Sequence, residues 1–450
     1  MRLIAKNHKL LMIAALFVTT PVMAVDLVGV HDLAVKNDPQ LRAAAYRRDA
    51  TGEIKRQAWS NLLPTIGGSA SLSRGDNETA INGTTISETD VDNESYGLNL
   101  TQSLYAQRNY EQLDVARGQV SQADAVYNIA YQDFLVRVAG SYFGVLTAQD
   151  GVIFAEAEEK ALQRQFEQAE QRFEVGLTAV TDVHEARASY DNARARAIVS
   201  RNNLADAKEI IYELTGQYFD DIDPLQEILP LVRPVPENPV EWVDTAMQYN
   251  PAVIAAQTAV EIADATVRLQ RSGHYPTLDL TASISRFTNN EFIIRDDFQN
   301  PIATTDLSND DKRIGLQLTV PIYQGGVVSS RTRQARYTLN AVSEDLDRQQ
   351  RATVRQTNNA YRAVIAGIEQ VGAFGQALVS AESALEATQA GFEVGTRTIV
   401  DVLIAQQRYF QAQRDNSLAR HTYIVDHLRL KAAAGVLAEE DLQKVNSILQ

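Results

Sequence analysis

Four short segments of the chain alternate apolar and polar side chains with a period of two. They cover residues 65–73, 96–101, 277–285 and 313–320. In the first segment Ile66 and Leu72 fall on one face, and serine and threonine occupy the opposite face. This period predicts β-strands, and a strand that crosses a bilayer at a tilt carries it over about 9–11 residues. A soluble β-sandwich alternates in the same way, so the strands alone leave both structures open.

The polar faces and the connecting segments favour the membrane interpretation. The polar faces consist mainly of Ser, Thr, Asn and Gln, as expected for strands that line a water-filled lumen. Residues 75–94 and 288–312 are acidic and rich in turn-forming residues, which predicts long loops on the outer surface. Tyr105, Tyr275 and Tyr323 flank the strands at the positions of an aromatic belt.

A helical pattern occupies the long segments without proline. From Gln107 to about Phe173, apolar residues recur every three or four positions, and no proline occurs between Pro64 and Pro224 or after Pro321. A helix of about 65 residues is roughly 100 Å long, because each residue adds about 1.5 Å. A single globular core cannot cover such a rod, so we expect neighbouring helices to pack along it as in a coiled coil. Beyond the N-terminus we expect no stretch long and apolar enough for a transmembrane helix.

The chain consists of two similar halves. Leu63-Pro64-Thr65 recurs as Tyr275-Pro276-Thr277, and Phe173-Glu174-Val175-Gly176 recurs as Phe392-Glu393-Val394-Gly395. We assign residues 25–229 to the first repeat, 230–239 to a Pro-rich linker and 240–450 to the second repeat. Each repeat is predicted to supply two strands and a long helical hairpin.

Four strands per chain cannot close a barrel. An open sheet edge in lipid leaves unpaired backbone groups, each of which costs several kcal/mol. If the strands lie in a membrane, the chain must therefore form oligomers. Three copies would give twelve strands and a lumen wide enough for water, whereas barrels of about eight strands are filled by side chains.

The N-terminus and the charge balance restrict the location and the partners. Residues 1–24 combine a basic start, a short apolar core and a small-residue exit, which predicts a secretory signal peptide cleaved after Ala24. Its removal takes away three basic and no acidic residues, leaving 39 basic against 57 acidic residues. A chain this acidic is a poor binder of nucleic acid.

The residue types that carry catalysis or hold metals are scarce. The chain has no cysteine, which excludes disulfides and thiolate metal sites. None of its histidines lies in a metal-ligand or nucleophile motif. We therefore expect no enzyme, no cofactor and no metal site.

Both predicted helical hairpins turn at the same motif. Gly176 and Gly395 are placed to end the descending helices through a left-handed cap. Thr181, just before Asp182, is placed where side chains cap the first turn of a returning helix. The two turns differ where Thr178 is replaced by Arg397, and that arginine could bridge neighbouring tips.

These motifs together resemble the outer-membrane efflux protein family. The resemblance rests on the double repeat, the Leu63-Pro64 and Tyr275-Pro276 segments before strands, and the runs Leu318–Gly326 and Val394–Leu403. It covers essentially the whole mature chain. It implies a membrane α+β fold: a trimeric twelve-stranded β-barrel, four strands per chain, that continues into a twelve-helix periplasmic coiled-coil tunnel.

The resemblance also implies a function, a location and partners. The protein would be an outer-membrane exit duct that passes drugs, bile salts or proteins in tripartite efflux and type I secretion. Its partners would be a periplasmic adaptor protein and an inner-membrane RND, ABC or MFS transporter, with the outer-membrane lipid around the barrel. The alternative is a soluble periplasmic coiled-coil scaffold or adaptor, which would share the helices but have no use for the strands.

The site residues implied by the resemblance fall into three groups. The closing network of a periplasmic gate would comprise Thr181, Asp182, Phe392 and Arg397, with Gln165 and Asp347 as a polar link between neighbouring helices. Asp401 would form a cation-selective ring at the constriction, where three carboxylates repel and raise some of their pKa values. Adaptor docking would use Val175, Gly176, Leu177, Val394 and Gly395.

Two positions depart from the family pattern. Phe392 stands where the family representative has a tyrosine, so a hydroxyl contact to Asp182 is missing. Ile404 replaces a second aspartate, which leaves one acidic ring instead of two.

Overall fold

The computed structural model describes residues 25–449, apart from Gly83 and residues 296–300. The expected signal peptide, residues 1–24, lies outside the described residues. The helices are α1 Leu27–Asn37, α2 Pro39–Ser60, α3 Gln107–Glu174, α4 Val180–Thr215, α5 Pro239–Tyr249, α6 Pro251–Arg271, α7 Val327–Glu393, α8 Ile399–Ala434 and α9 Glu439–Asn446. The strands are β1 Thr65–Ile81, β2 Thr84–Ala106, β3 Thr277–Arg295 and β4 Pro301–Thr319.

The strands form one antiparallel sheet in the order β1-β2-β3-β4. The register pairs Gly68 with Leu98 and Leu98 with Ile284, so the apolar positions of neighbouring strands share one face. On this face Leu98 and Ile314 are 58 % and 78 % exposed. A four-stranded sheet that presents an apolar face outside the protein core is what a lipid-facing wall requires.

The strands are much longer than the alternation indicates, and this corrects the expected loops. The β1–β2 ladder continues to Ile81 opposite Thr84, and the β3–β4 ladder continues to Arg295 opposite Pro301. Most of residues 75–94 and 288–312 are therefore strand. Backbone pairing needs no apolar alternation, and a hairpin with water on both faces can be polar on both. The 23 residues of β2 span about 76 Å when fully extended, far beyond one bilayer.

The descending helices match the prediction, whereas the returning helices are shorter. Helices α3 and α7 have 68 and 67 residues, and α4 and α8 have 36 each. In the lower half α4 packs on α3 and α8 on α7. In the upper half, nearer the sheet, α2 packs on α3 and α6 packs on both α3 and α7. Each chain therefore presents four helices at either level.

The two long helices begin at the same level below the sheet. Arg268, in the last turn of α6, places Nε 3.1 Å from Oε2 of Glu111 near the start of α3. A Cβ on Gly273, just after α6, would lie 3.1 Å from Val328 at the start of α7. Distances measured along α3 and α7 from their first residues can therefore be compared directly.

The largest core lies about halfway along the long helices. Here α1, α9 and the linker between α4 and α5 pack across the helices, and we call these segments the belt. The core is built mainly from α1, α3 and α8, and its fully buried side chains include Leu27, Phe134, Leu135, Val138, Tyr142 and Leu428. The linker between α4 and α5 is fastened across α8 by Tyr423, whose hydroxyl donates to the carbonyl of Val232 and accepts from its N–H, each at 2.9 Å. This belt fixes α8 above the tips.

Helix α7 corrects the expectation that the chain lacks a stretch apolar enough for a membrane helix. An 18-residue window within it has a mean hydropathy of 1.3, so the helix is long and apolar enough to cross a membrane by length and composition alone. Only 11 % of the window is buried within one chain. The window belongs to a single 67-residue helix that packs along α8. Its exposed apolar surface is what neighbouring tunnel helices of an oligomer would cover.

Candidate functional site at the helical tips

The first tip is a tight turn built around Gly176. This glycine has φ +75°, and the N–H of Leu177 donates to the carbonyl of Arg172 at 2.8 Å. Thr178, in the turn, donates its hydroxyl to the carboxylate of Asp182 in the first turn of α4. The partner of Asp182 is thus Thr178. Thr181 lies inside α4 and is exposed, so its expected role as a helix cap is wrong.

The second tip repeats this turn with a stronger cap. Gly395 has φ +81°, and Thr398 and Asp401 form a reciprocal capping box at the start of α8. Oδ2 of Asp401 accepts from the N–H and the hydroxyl of Thr398 at 3.0 and 2.9 Å. The N–H of Asp401 donates to the Thr398 hydroxyl at 3.2 Å. Both side-chain contacts of Asp401 use the same oxygen, which leaves Oδ1 available at the tip.

The capping box lowers the pKa of Asp401 within one chain. The hydrogen bonds from the backbone and hydroxyl of Thr398 are the main causes, and the positive charge of Arg397 adds to them. This direction is opposite to the rise that we expect from a ring of three carboxylates. The local contacts therefore favour a charged Asp401 and oppose the rise in pKa that repulsion between the chains would cause.

The predicted contact between Arg397 and Asp182 does not occur within the chain. Among the described residues, no ion pair within 4.0 Å involves Arg397, which is exposed beside the second turn. Its backbone is fixed by an N–H donated to the carbonyl of Gly391 at 3.1 Å. A contact between Arg397 and Asp182 would therefore have to join neighbouring chains, and it stays a prediction.

The expected link between Gln165 and Asp347 is wrong. At about 1.5 Å per residue, Gln165 lies about 87 Å from the start of α3, and Asp347 lies about 30 Å from the start of α7. The two residues are thus separated by about 57 Å along the tunnel. A three-fold axis along the tunnel keeps equivalent residues at one level, so a neighbouring chain cannot bring them together either. Asp347 instead pairs with Arg351 one turn below, at 2.6 Å.

Gln165 lies beside α8. Glu158 of α3 contacts Arg414 of α8, and below this contact the antiparallel course of the two helices places Gln165 level with Gln406. The Oε1 atoms of both side chains are buried and have no hydrogen-bond partner among the described residues.

A buried ion triad above the tips joins three helices, and no sequence pattern predicts it. Glu158 of α3 is fully buried, with Oε1 2.8 Å from Arg196 of α4 and Oε2 3.1 Å from Arg414 of α8. Each charge alone looks like part of a solvated helix face. Only knowledge of which helices pack together could have revealed the triad.

Further hydrogen bonds continue the α3–α8 contact upward. Ser417 donates its hydroxyl to Asp150, and Thr147 lies 2.9 Å from Nδ1 of His421. The Thr147 hydroxyl donates to the carbonyl of Phe143 at 2.7 Å, so the hydrogen between Thr147 and His421 belongs to Nδ1. Burial lowers the pKa of His421 to about 4, which keeps this ring neutral at neutral pH.

Phe392 forms a cation–π contact that the sequence comparison with the family's tyrosine did not predict. The guanidinium carbon of Arg172 lies 4.6 Å from the centre of the Phe392 ring. The ring also packs against a small tip core, whose buried members are Leu162, Ala169, Ala186, Ala193, Ile399 and Leu403.

The residues expected to dock an adaptor lie at the lowest points of the two turns. Leu177 and Val394 are 76 % and 75 % exposed, and Val175 is nearly as exposed. Gly176 and Gly395 hold these turns in their left-handed conformation. The tips thus present apolar side chains to water, as a docking surface does.

One cluster of potential metal ligands lies away from the tips. Nδ1 of His31 is 3.3 Å from Oδ1 of Asp32, and Glu439 is close enough to complete a group within 4.8 Å. Asp32 and Glu439 are exposed carboxylates, which are common without a metal. We assign no function to this cluster.

Four membrane strands and four tunnel helices per chain define a class of protein: an outer-membrane channel with a helical extension. The sequence model described as "Outer membrane efflux protein" matches residues 30–217 and 242–436. The chain therefore belongs to the outer membrane efflux protein family.

Relatives and solved structures agree with this membership. "Outer membrane protein TolC" of Vibrio cholerae is 38 % identical over 96 % of this chain and 95 % of its own length. TolC of Escherichia coli is 34 % identical over 95 % of this chain and 85 % of its own. "Alkaline protease secretion protein AprF" of Pseudomonas aeruginosa is 30 % identical over 94 % and 87 %. The structures of CusC (TM-score 0.76, 18 % identity, 92 % and 93 % coverage) and of VceC from Vibrio cholerae (0.73, 20 %, 91 % and 96 %) share the fold.

The expected fold class, location and general function are thereby confirmed. The chain is an outer-membrane exit channel, with a periplasmic helical tunnel below a β-barrel. Because one chain supplies a four-stranded sheet with two open edges, three chains close the twelve-stranded barrel. The alternative of a soluble periplasmic scaffold has no support from these matches.

Proposed function

We propose that the chain serves as the exit duct of tripartite efflux pumps and of type I secretion. The similarity to AprF, named for protease secretion, and to the TolC proteins supports both uses. The cargo would be drugs, bile salts or secreted proteins. An inner-membrane RND, ABC or MFS transporter would supply the cargo through a periplasmic adaptor protein.

The observation that carries this proposal is the pair of exposed apolar turns at the lower end of each chain. Val175, Leu177 and Val394 face water at the end that points away from the sheet. An adaptor tip that covered them would gain the free energy of removing apolar surface from water. Three chains would offer six such turns in a ring, which suits a ring of adaptor subunits.

Aspartate substitutions at Leu177 and Val394 test the docking function. In a strain that lacks the chromosomal gene, the double variant is expected to reach the outer membrane normally but to leave cells sensitive to bile salts and dyes. Burying two charges against an apolar adaptor surface is unfavourable, so pump coupling should fail. The matched control is Val235→Asp in the linker, because Val235 is 80 % exposed and far from the tips. Full resistance with the double variant would reject docking at these turns.

We also propose that Asp401 forms a cation-selective constriction with Asp401 of the two neighbouring chains. The contacts of Thr398 favour the charged carboxylate and leave Oδ1 unused. Asp401→Asn keeps the size of the side chain and removes its charge. The purified channel in a planar bilayer is expected to lose its cation preference, measured as the reversal potential in a salt gradient. An unchanged reversal potential would place the selective ring elsewhere.

A further inference from the structure

Arg172 and Phe392 join the two hairpins of one chain at their tips. Arg172 lies in the last turn of α3, and Phe392 is the penultimate residue of α7. The guanidinium carbon lies 4.6 Å from the ring centre, within the range of a cation–π contact. Both side chains are half-buried, so the attraction is less screened than at a fully exposed surface.

The ring of Phe392 is fixed on its other side by the tip core. Phe392 packs with Phe166 against buried residues of α3 and α8, including Leu162 and Leu403. Elsewhere α3 packs mainly on α2, α4, α6 and α8, whereas α7 packs on α5, α6 and α8. The Arg172–Phe392 pair therefore joins the lower ends of two long helices for which third helices provide most of the packing.

The internal repeat does not supply a second contact of this kind with the roles of the two hairpins exchanged. The counterpart of Phe392 in the first hairpin is Phe173, and the counterpart of Arg172 in the second hairpin is Gly391. A Cβ on Gly391 would lie 2.8 Å from Cγ of Arg397, so the space of a larger residue is already taken by that side chain. Phe173 is 45 % exposed. Where the second hairpin of one chain meets the first hairpin of the next, Gly391 cannot supply the cation.

We propose that Arg172 is a positioning residue of the gate, holding the turn that carries Arg397 and Asp401 against the end of α3. Gly391 accepts hydrogen bonds from the N–H groups of Thr396 and Arg397, and Phe392 is the next residue. Fixing the Phe392 ring therefore fixes the turn that presents Arg397. A closed trimer contains three of these contacts, one within each chain. This inference rests on the periplasmic gate that the family resemblance implies, in which Arg397 would contact Asp182 of a neighbouring chain.

The test is the conductance of the purified full-length channel in planar bilayers. Arg172→Gln removes the cation, and Phe392→Leu removes the ring but keeps an apolar side chain. Each variant is expected to raise the ratio of open to closed tips about two- to five-fold per chain, which appears as a higher mean single-channel conductance. The double variant should be no more open than the larger single variant, because both remove the same contact.

Three further variants separate a specific contact from general loosening. Phe173→Leu makes the same change at the equivalent position without a cation and is expected to keep the wild-type conductance. Phe392→Tyr keeps the ring face and can add a hydroxyl contact to Asp182, so it should be no more open than the wild type. Arg172→Lys should lie between wild type and Arg172→Gln. If Arg172→Gln or Phe392→Leu does not assemble, Arg172→Lys and Phe392→Tyr still test the ordering.

Arg397→Glu separates failure of this contact from failure of the gate. If Arg397→Glu raises the conductance and the Arg172 and Phe392 variants do not, the contact is overturned and the gate remains. If Arg397→Glu also leaves the conductance unchanged, the proposed gate itself is wrong. Equal effects of Phe173→Leu and Phe392→Leu would overturn the specific pair in favour of non-specific loosening.

Discussion

Replacing Glu158 with alanine is expected to destabilise the lower tunnel by about 3 kcal/mol per chain, because it leaves two arginines beside a site built for one carboxylate. Glu158 is fully buried and holds Arg196 and Arg414 with separate oxygens. Loss of one member of a buried ion pair costs about 3–5 kcal/mol. We expect the lower end of that range, because the two arginine side chains are 39 % and 30 % exposed and keep some access to water.

The measurement is the temperature at which the detergent-solubilised channel loses its helical circular dichroism. The control is Asp114→Asn, which breaks the exposed pair of Asp114 with Arg117 on the same helix, 2.9 Å apart. Such surface pairs contribute about 0.5 kcal/mol or less. Equal losses in the two variants would mean that the Glu158 triad does not join the helices as described.

The second large effect is expected from Gly435→Ala, measured against Gly216→Ala. These glycines occupy equivalent positions after α8 and α4, with φ +76° and +70°. An alanine in this conformation costs about 1–2 kcal/mol at either site. At Gly435 the added Cβ would also lie 2.5 Å from the carbonyl oxygen of Tyr249 and 2.6 Å from Cα of Asn250. At Gly216 it would meet nothing within 4 Å.

Because the crowding atoms at Gly435 are backbone, no side-chain rotation can relieve the contact. Gly435→Ala is therefore expected to cost about 1–3 kcal/mol more than Gly216→Ala. Asn250 also donates to the carbonyl of Ala433 at 2.8 Å, so a shift of this junction would disturb that hydrogen bond. The amount of trimer recovered from outer membranes and its melting temperature give the comparison. Similar values for the two variants would contradict close packing at Gly435.

The long helices could be predicted well from the sequence because their causes are local. Uninterrupted helical periodicity without proline predicts a helix from Gln107 to about Phe173, and α3 ends one residue later, at Glu174. Gly176 then adopts the left-handed conformation that the pattern predicts. The lengths of the returning helices were not predictable in this way. Helices α4 and α8 end at the level where α1, α5 and α9 pack against the long helices, and this packing is not local in sequence.

The strands were predictable only where one face is apolar. The parts of β1 and β3 nearer the helices alternate, and this period predicts them. Residues 75–81 and 288–295 continue the same strands without that alternation, and the antiparallel backbone pairing extends through them. Polar, turn-rich composition therefore indicated loops where the structure has hairpins.

The candidate site shows the limit of transferring residues by resemblance. The positions of Asp182, Asp401 and the two glycines follow from the turn motif. The structure places the glycines in the turns between the helices and the two aspartates in the first helical turns of α4 and α8. The predicted link between Gln165 and Asp347 was wrong because sequence similarity does not give the height of a residue along its helix, whereas the rise per residue does. The Arg172–Phe392 contact and the Glu158 triad join residues that are distant in sequence, and no local signal reveals them.

A channel built from this chain requires three copies that seal one water-filled ring. The decisive measurement is the mass of the detergent-extracted channel by native mass spectrometry, followed by its conductance in a planar bilayer. We expect the mass of three chains, each of at most 49.7 kDa, and a steady cation-preferring current. A monomeric mass together with a bilayer that carries no current would contradict a channel built from three chains.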